Sequence, residues 1–224
     1  MQTYARQGGS SAIFIHDDGL QLISQKDREA RIAFYADHNI GWVARPAHDS
    51  SPGGFKRAGR FKKASNLNYG LSLSLKLENH LKALQEAEQR EEPDYSNDAS
   101  LEDRALHMAC DEVFVESGEK WKPWASNGKS IRIGEIILLV DADTVVPEDC
   151  LRDAARELSE SPEVAIVQHE SGMQSVIVSF QSSVLSALCP QTSCRSLIIT
   201  LRMASHILRD ESTNVSHWVV RTAR

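Results

Sequence analysis

Short apolar runs that stop at acidic or proline-bearing turns divide the first three quarters of the chain. Residues 12–16 (Ala-Ile-Phe-Ile-His) predict a short buried strand that ends at Asp17-Asp18-Gly19. In residues 25–38, Ala30, Ile32, Ala33 and Phe34 sit among many charges, which predicts a surface helix. Residues 40–44 predict a second strand, closed by Arg45-Pro46, and residues 46–60 form a loop rich in Gly, Pro and Ser. A long helix follows over 62–89, with leucines at 67, 71, 75, 77, 81 and 84. The stretch at about 88–103 is acidic and poor in apolar residues, which predicts a flexible insert. Residues 104–115 return to helix. Glu135-Ile136-Ile137-Leu138-Leu139-Val140 predicts a third strand, 147–158 a helix with Pro147 in its first turn, and 164–168 a fourth strand.

The predicted order is β-α-β-α-insert-β-α-β. Alternation of this kind implies an α/β fold with a mostly parallel sheet flanked by helices. Right-handed crossovers put the strand ends on one edge, and ligands of open α/β sheets bind there. The last fifty residues break the pattern. From Ser175 to Arg224 there is no glycine and no lysine, but there are ten serines. Their net charge is +3 against −9 for residues 1–174. This part reads as an irregular tail, 175–224, behind a domain of residues 1–174.

Composition narrows the class. The chain has 224 residues, 41% hydrophobic and 25% charged, as in ordinary globular domains. A net charge of −6 argues against a general nucleic-acid binder. Cys110, Cys150, Cys189 and Cys194 show no metal-binding or disulfide-framework spacing and read as thiols of a reducing compartment. The longest uncharged run, Ser171–Cys194, is interrupted by Pro190 and is too polar for a spanning segment. The chain therefore reads as soluble and cytoplasmic.

Three clusters carry candidate chemistry. Asp141 and Asp143 end an apolar strand at i, i+2 spacing. Two hard carboxylate donors there suit Mg²⁺ or Mn²⁺, which would neutralise a departing diphosphate. The plain alternative is an acidic turn ahead of a helix. Asp17-Asp18-Gly19 likewise follows a strand, and such carboxylates can take nucleoside hydroxyls or a base; the alternative is an ordinary turn. Lys56, Arg57, Arg60, Lys62 and Lys63 form a basic knot in a glycine-bearing loop that opens a helix. This is phosphate-site chemistry, or else a solvated surface. His16 and His169 read as structural, and Trp121 and Trp124 as packing residues with a second reading as stacking platforms.

Taken in order, these clusters resemble the family 2 glycosyltransferases, the superfamily of cellulose, chitin and hyaluronan synthases, in a fungal family-2-like form. The resemblance runs over Phe14-Ile15-His16-Asp17-Asp18-Gly19, Gly41-Trp42-Val43-Ala44-Arg45-Pro46, Arg60 to Gly70 with Lys63-Ala64-Ser65-Asn66-Leu67-Asn68, and Gly134 to Cys150. It implies a partial GT-A, Rossmann-like nucleotide-sugar-binding domain. It also implies inverting transfer of a hexosyl unit from a UDP-sugar to a saccharide or lipid-linked acceptor. Asp17 and Asp18 would contact the nucleoside. Lys63, Asn66 and Asn68 would line the nucleotide site, Asp141 would face the donor, and Asp143 would hold the Mg²⁺ or Mn²⁺ with Asp141. Full-length relatives act on the cytoplasmic face of a membrane.

The family's first strand, its general-base motif after the DxD, its Gln-x-x-Arg-Trp motif and its membrane helices have no counterpart in this chain. The similarity ends near Gln174, so the chain is expected to be truncated at both ends, with a frameshift or splice change near codons 170–180. Two other functions fit parts of the sequence. Asp141-Ala142-Asp143-Thr144-Val145 suits the loop of a haloacid dehalogenase-type phosphatase with Asp141 as nucleophile. A non-catalytic remnant or interaction module suits the insert and tail.

Overall fold

The computed structural model describes residues 2–58, 63–90, 99–141, 146–161, 163–168, 196–202 and 218–221; of Asp141, Gln168 and the last two segments it describes the backbone. In chain order the elements are α1 (Gln2–Arg6), β1 (Ser10–His16), a 3-10 turn (Asp18–Gln21), α2 (Gln25–Asp37), β2 (Gly41–Ala44), α3 (Lys63–Glu88), α4 (Leu101–Glu116), β3 (Trp124–Ser126), α5 (Gly128–Ile131), β4 (Ile136–Asp141), α6 (Cys150–Glu160), β5 (Ile166–Gln168), β6 (Ser196–Arg202) and β7 (Trp218–Arg221). They fall into two compact units. One is built on Phe14–Arg132, the other on the residues up to Ile13 and those from Ile133 onward.

The Phe14–Arg132 unit holds the end of β1, β2 and β3. β1 and β2 run parallel, with Phe14 opposite Gly41 and His16 opposite Val43. β3 is antiparallel to β2, with Trp42 opposite Ser126 and Ala44 opposite Trp124. This sheet is mixed, which corrects the expected mostly parallel one at β3. A three-residue strand whose neighbours are Lys122, Pro123 and Asn127 leaves no apolar run to read.

Helix α2 starts where Ser24 accepts a hydrogen bond from the Asp27 amide, and α4 where Ser100 accepts one from the Asp103 amide. The acidic stretch expected to be flexible therefore ends earlier than its composition suggests, at the cap Ser100. Its residues 91–98 lie outside the described ones. α3 and α4 pair antiparallel through Lys76 with Glu112 and Glu116, His80 with Glu112, and Arg104 with Glu88. Between them and the sheet lie Phe14, Leu73, Leu77, Leu81, Ala105, Leu106 and Ala109, all buried. Gly41 is required where α5 crosses β2: a Cβ there would stand 2.8 Å from the Ser130 carbonyl carbon.

In the second unit, β4 and β5 each pair antiparallel with β7. Leu151, Ala154, Ala155 and Leu158 recur at i, i+3, i+4 and i+7 on α6. They are buried with Tyr4, Ile136, Leu138, Val140 and Val167. Pro147 was expected to open this helix. It instead sits one turn ahead, its carbonyl accepting from the Cys150 amide at 3.2 Å. The tail, unplaced by its sequence, supplies β6 and β7. Among the described residues no helix is long and apolar enough to cross a membrane.

Candidate nucleotide-binding site

The site is built where β1 and β2 end side by side in the Phe14–Arg132 unit. Apolar pairing holds the two strands in register up to His16 and Val43. The chain then leaves both strands at charged residues, Asp17-Asp18 and Arg45. Placed at neighbouring strand ends, they are drawn together by opposite charge.

Asp17 is completely buried and acts as the N-cap of the 3-10 turn. Its Oδ1 accepts from the Gly19 amide at 3.0 Å. Its Oδ2 accepts from Arg31 Nη1 at 3.0 Å and from the Tyr35 hydroxyl at 2.8 Å. Arg31 and Tyr35 both project from α2, so this carboxylate ties that helix to the strand end.

Asp18 faces the other way. The Arg45 guanidinium forks onto it, with Nε 3.2 Å from each oxygen and Nη2 2.6 Å from Oδ2. The Arg45 amide adds a bond at 3.3 Å, and Arg57 Nη1 stands 3.5 Å from Oδ2. Arg45 Nη1 also donates to Ser65 Oγ at 2.8 Å, in the first turn of α3. Arg57 comes from the loop after β2, where its Nε and Nη2 donate to the carbonyls of Pro46 and Arg45. Burial pulls its pKa down, and the Asp18 charge pushes the other way.

His16 adds a neutral wall. Burial lowers its pKa to about 4, so the imidazole is uncharged at neutral pH. Its Nδ1 lies 3.0 Å from the Asn66 carbonyl and donates the proton, which leaves Nε2 as a bare acceptor. Asn66 is buried, and its Nδ2 reaches the His16 carbonyl at 3.4 Å. Among the described residues, the buried Asn66 Oδ1 and Tyr69 hydroxyl meet no hydrogen-bond partner. Burial raises the Tyr69 phenol above its ordinary range. Gly70 lets the imidazole lie on α3, since a Cβ there would fall 2.0 Å from His16 Cε1.

The structure thus brings Asp17, Asp18 and Asn66 to one strand edge. Lys63 is half-buried at the first position of α3, and Asn68 is exposed further along it. Gly59, Arg60, Phe61 and Lys62 lie outside the described residues. In the second unit Asp141 is the last residue of β4, while Asp143 and His169 lie outside the described residues. Among the described residues no group of three His, Cys, Asp or Glu side chains is arranged to hold a metal. The expected Mg²⁺ or Mn²⁺ rests on the chemistry of Asp141 and Asp143, whose carboxylate oxygens suit a hard cation.

Trp121 and Trp124 are packing residues here. Trp121 meets the edge of Phe55 at 5.6 Å. Trp124 meets Trp42 at 5.2 Å and lies under the Arg28 guanidinium at 5.7 Å. Sequence reasoning missed Arg31, Tyr35, Arg45 and Ser65 as site residues, while Arg57 stood in its basic knot. The available signal was Arg45 itself, a cation closing a buried strand next in space to a strand closed by two acids.

Residues 136–196 match the family model described as glycosyl transferase family group 2. The match takes in the Asp141–Asp143 strand end and continues past Gln174, where the resemblance read from the sequence stops. The Asp17-Asp18 turn and the Lys63 segment lie outside it. No curated protein and no solved structure matches the chain.

Proposed function

We propose that the chain is a nucleotide-sugar-binding domain of the family 2 glycosyltransferase type. The observation that carries this reading is the family match over residues 136–196, with Asp141-Ala142-Asp143 inside it. The same match favours transfer over the phosphatase reading of Asp141.

In this reading the donor is a UDP-sugar. Asp18, held at the ends of β1 and β2, takes the nucleoside, and Asp17 supports it. Lys63 at the start of α3 takes the diphosphate, with Asn66 and Asn68 completing that wall. Helix N-terminal amides and a lysine together favour the negative charge. Asp141 and Asp143 would hold Mg²⁺ or Mn²⁺, whose charge would offset that of the departing UDP. An acceptor hydroxyl of a saccharide or lipid-linked group attacks the anomeric carbon. The new C–O bond forms as the bond to UDP breaks, with inversion, and the hydroxyl proton passes to a general base.

Calorimetry of the full chain with UDP and Mn²⁺ tests the reading. Saturable binding is expected, and Asp143→Ala should abolish its dependence on Mn²⁺. Absence of UDP binding with and without metal refutes it. Hydrolysis of p-nitrophenyl phosphate that requires Asp141 would favour the phosphatase instead.

A further inference from the structure

One side chain joins all the elements that bound the candidate site in the Phe14–Arg132 unit. Arg45 is 2% exposed. Nε and Nη2 fork onto Asp18 at the end of β1, and Nη1 reaches Ser65 in the first turn of α3. Ser65 in turn donates to the Ala58 carbonyl at 2.9 Å, which fixes the end of the loop that carries Arg57. The Arg45 carbonyl receives Gln21 Nε2 at 2.6 Å from the 3-10 turn and Arg57 Nη2 at 3.3 Å from the loop. A planar guanidinium has its donors at fixed angles, so whatever its two ends grip is held at a fixed separation.

We propose that Arg45 is a positioning residue that sets the distance between the nucleoside end and the diphosphate end of the ligand site. This inference rests on the nucleotide-sugar reading above. Nearly all of the Arg45 side chain is turned inward onto Asp18 and Ser65, so it acts through them and does not touch the ligand. Asp18 offers its carboxylate to the nucleoside, and Ser65 stands two residues after Lys63 on the same helical turn. A ligand that spans both ends gains from their fixed spacing, because the second contact is made without further ordering of the protein. A ligand with only the nucleoside gains nothing from it.

The comparison of UDP with uridine therefore reads the role directly. Calorimetry on the full chain should give a clear affinity advantage for UDP in the wild type. Arg45→Lys, which cannot fork, should cut that advantage about tenfold. Ser65→Ala removes the α3 end of the bridge together with the bond to the Ala58 carbonyl, and leaves the Arg45 fork onto Asp18. It should cut the advantage in the same direction, leave uridine affinity within about twofold, and leave the urea midpoint near that of the wild type. Should Arg45→Lys fail to fold, Ser65→Ala carries the test alone. An unchanged UDP-to-uridine ratio in the folded variants, with only stability altered, overturns the positioning role and leaves the nucleotide reading intact. A wild-type chain that binds neither ligand overturns both.

Discussion

Asp17 and Asp18 are neighbours in the chain but turn their carboxylates to different guanidinium groups, Arg31 at 3.0 Å and Arg45 at 2.6 Å. Asp17 caps the 3-10 turn that Asp18 opens, and the two carboxylates meet different partners, so they cannot serve one ligand in the same way. The first is sealed inside the protein against α2. The second is also buried, held by Arg45 and by Arg57 from the loop after β2. Removal of the inner carboxylate should damage the fold more than ligand recognition. Asp17→Ala leaves Arg31 buried without this counter-ion and should cost about 3–5 kcal/mol. Urea denaturation of the variant checks this; a loss below about 1 kcal/mol would contradict the buried pairing.

Tyr35→Phe probes the same carboxylate more gently. It deletes one hydroxyl that donates to Asp17 Oδ2 at 2.8 Å and leaves the ring in place. A loss of about 1 kcal/mol is expected, the usual worth of one hydrogen bond in a fold. Because Arg31 remains on the same oxygen, this loss and that of Asp17→Ala should not add in the double variant, which a double-mutant cycle measures directly.

His16 predicts a pH dependence with a definite sign. Its folded pKa of about 4 lies below the ordinary 6.5, so between these values the unfolded chain takes up a proton that the folded chain refuses. Stability from this group is complete above pH 6.5 and is lost as pH falls towards 4, by about 3 kcal/mol at most. Denaturation midpoints at pH 7 and pH 4.5 should differ in the wild type by clearly more than in His16→Gln. Equal differences in the two proteins would mean that other groups carry the acid sensitivity.

Gly70→Ala tests the contact beneath that imidazole. The new methyl group would overlap His16 Cε1, with a helix backbone on one side and a strand on the other. Overpacking of this kind costs about 1–3 kcal/mol. Combining it with His16→Ala, which empties the space, should recover part of the loss. A double variant less stable than the sum of the two singles predicts would show that the methyl group meets something other than the ring.

The main elements of the first 168 residues were legible because each buries one face and so carries a period. The 62–89 pattern corresponds to α3 at Lys63–Glu88, and the 25–38 pattern to α2 at Gln25–Asp37. β3, α5 and β7 were not legible. The first two span three and four residues, too short for any period to show, and β7 follows a serine-rich stretch without strand punctuation. With β3 and β7 unseen, the antiparallel pairings were unseen too. Asp18 was legible as a candidate from its place after an apolar strand, and Asn66 only through the resemblance of its segment. Arg45, Arg31 and Tyr35 were not, because a cation or phenol that will be buried against a carboxylate has the same local sequence as one left in water.

β7 decides the order in which the parts of this protein become complete. β4 and β5 both hydrogen-bond to Trp218–Arg221, some fifty to eighty-five residues further along the chain. During synthesis these strands must wait, with that backbone edge unpaired, until Trp218–Arg221 have left the ribosome. The β1–β2 and β2–β3 pairings and the α3–α4 pair of the unit built on Phe14–Arg132 are complete well before then. A nascent chain halted after Arg132 already carries Asp18, Arg45 and Ser65, whereas the Asp141 strand meets β7 only some eighty residues further along. Chaperone demand should therefore fall on the late part, where long-range pairing is slow and a premature stop leaves bare strand edges.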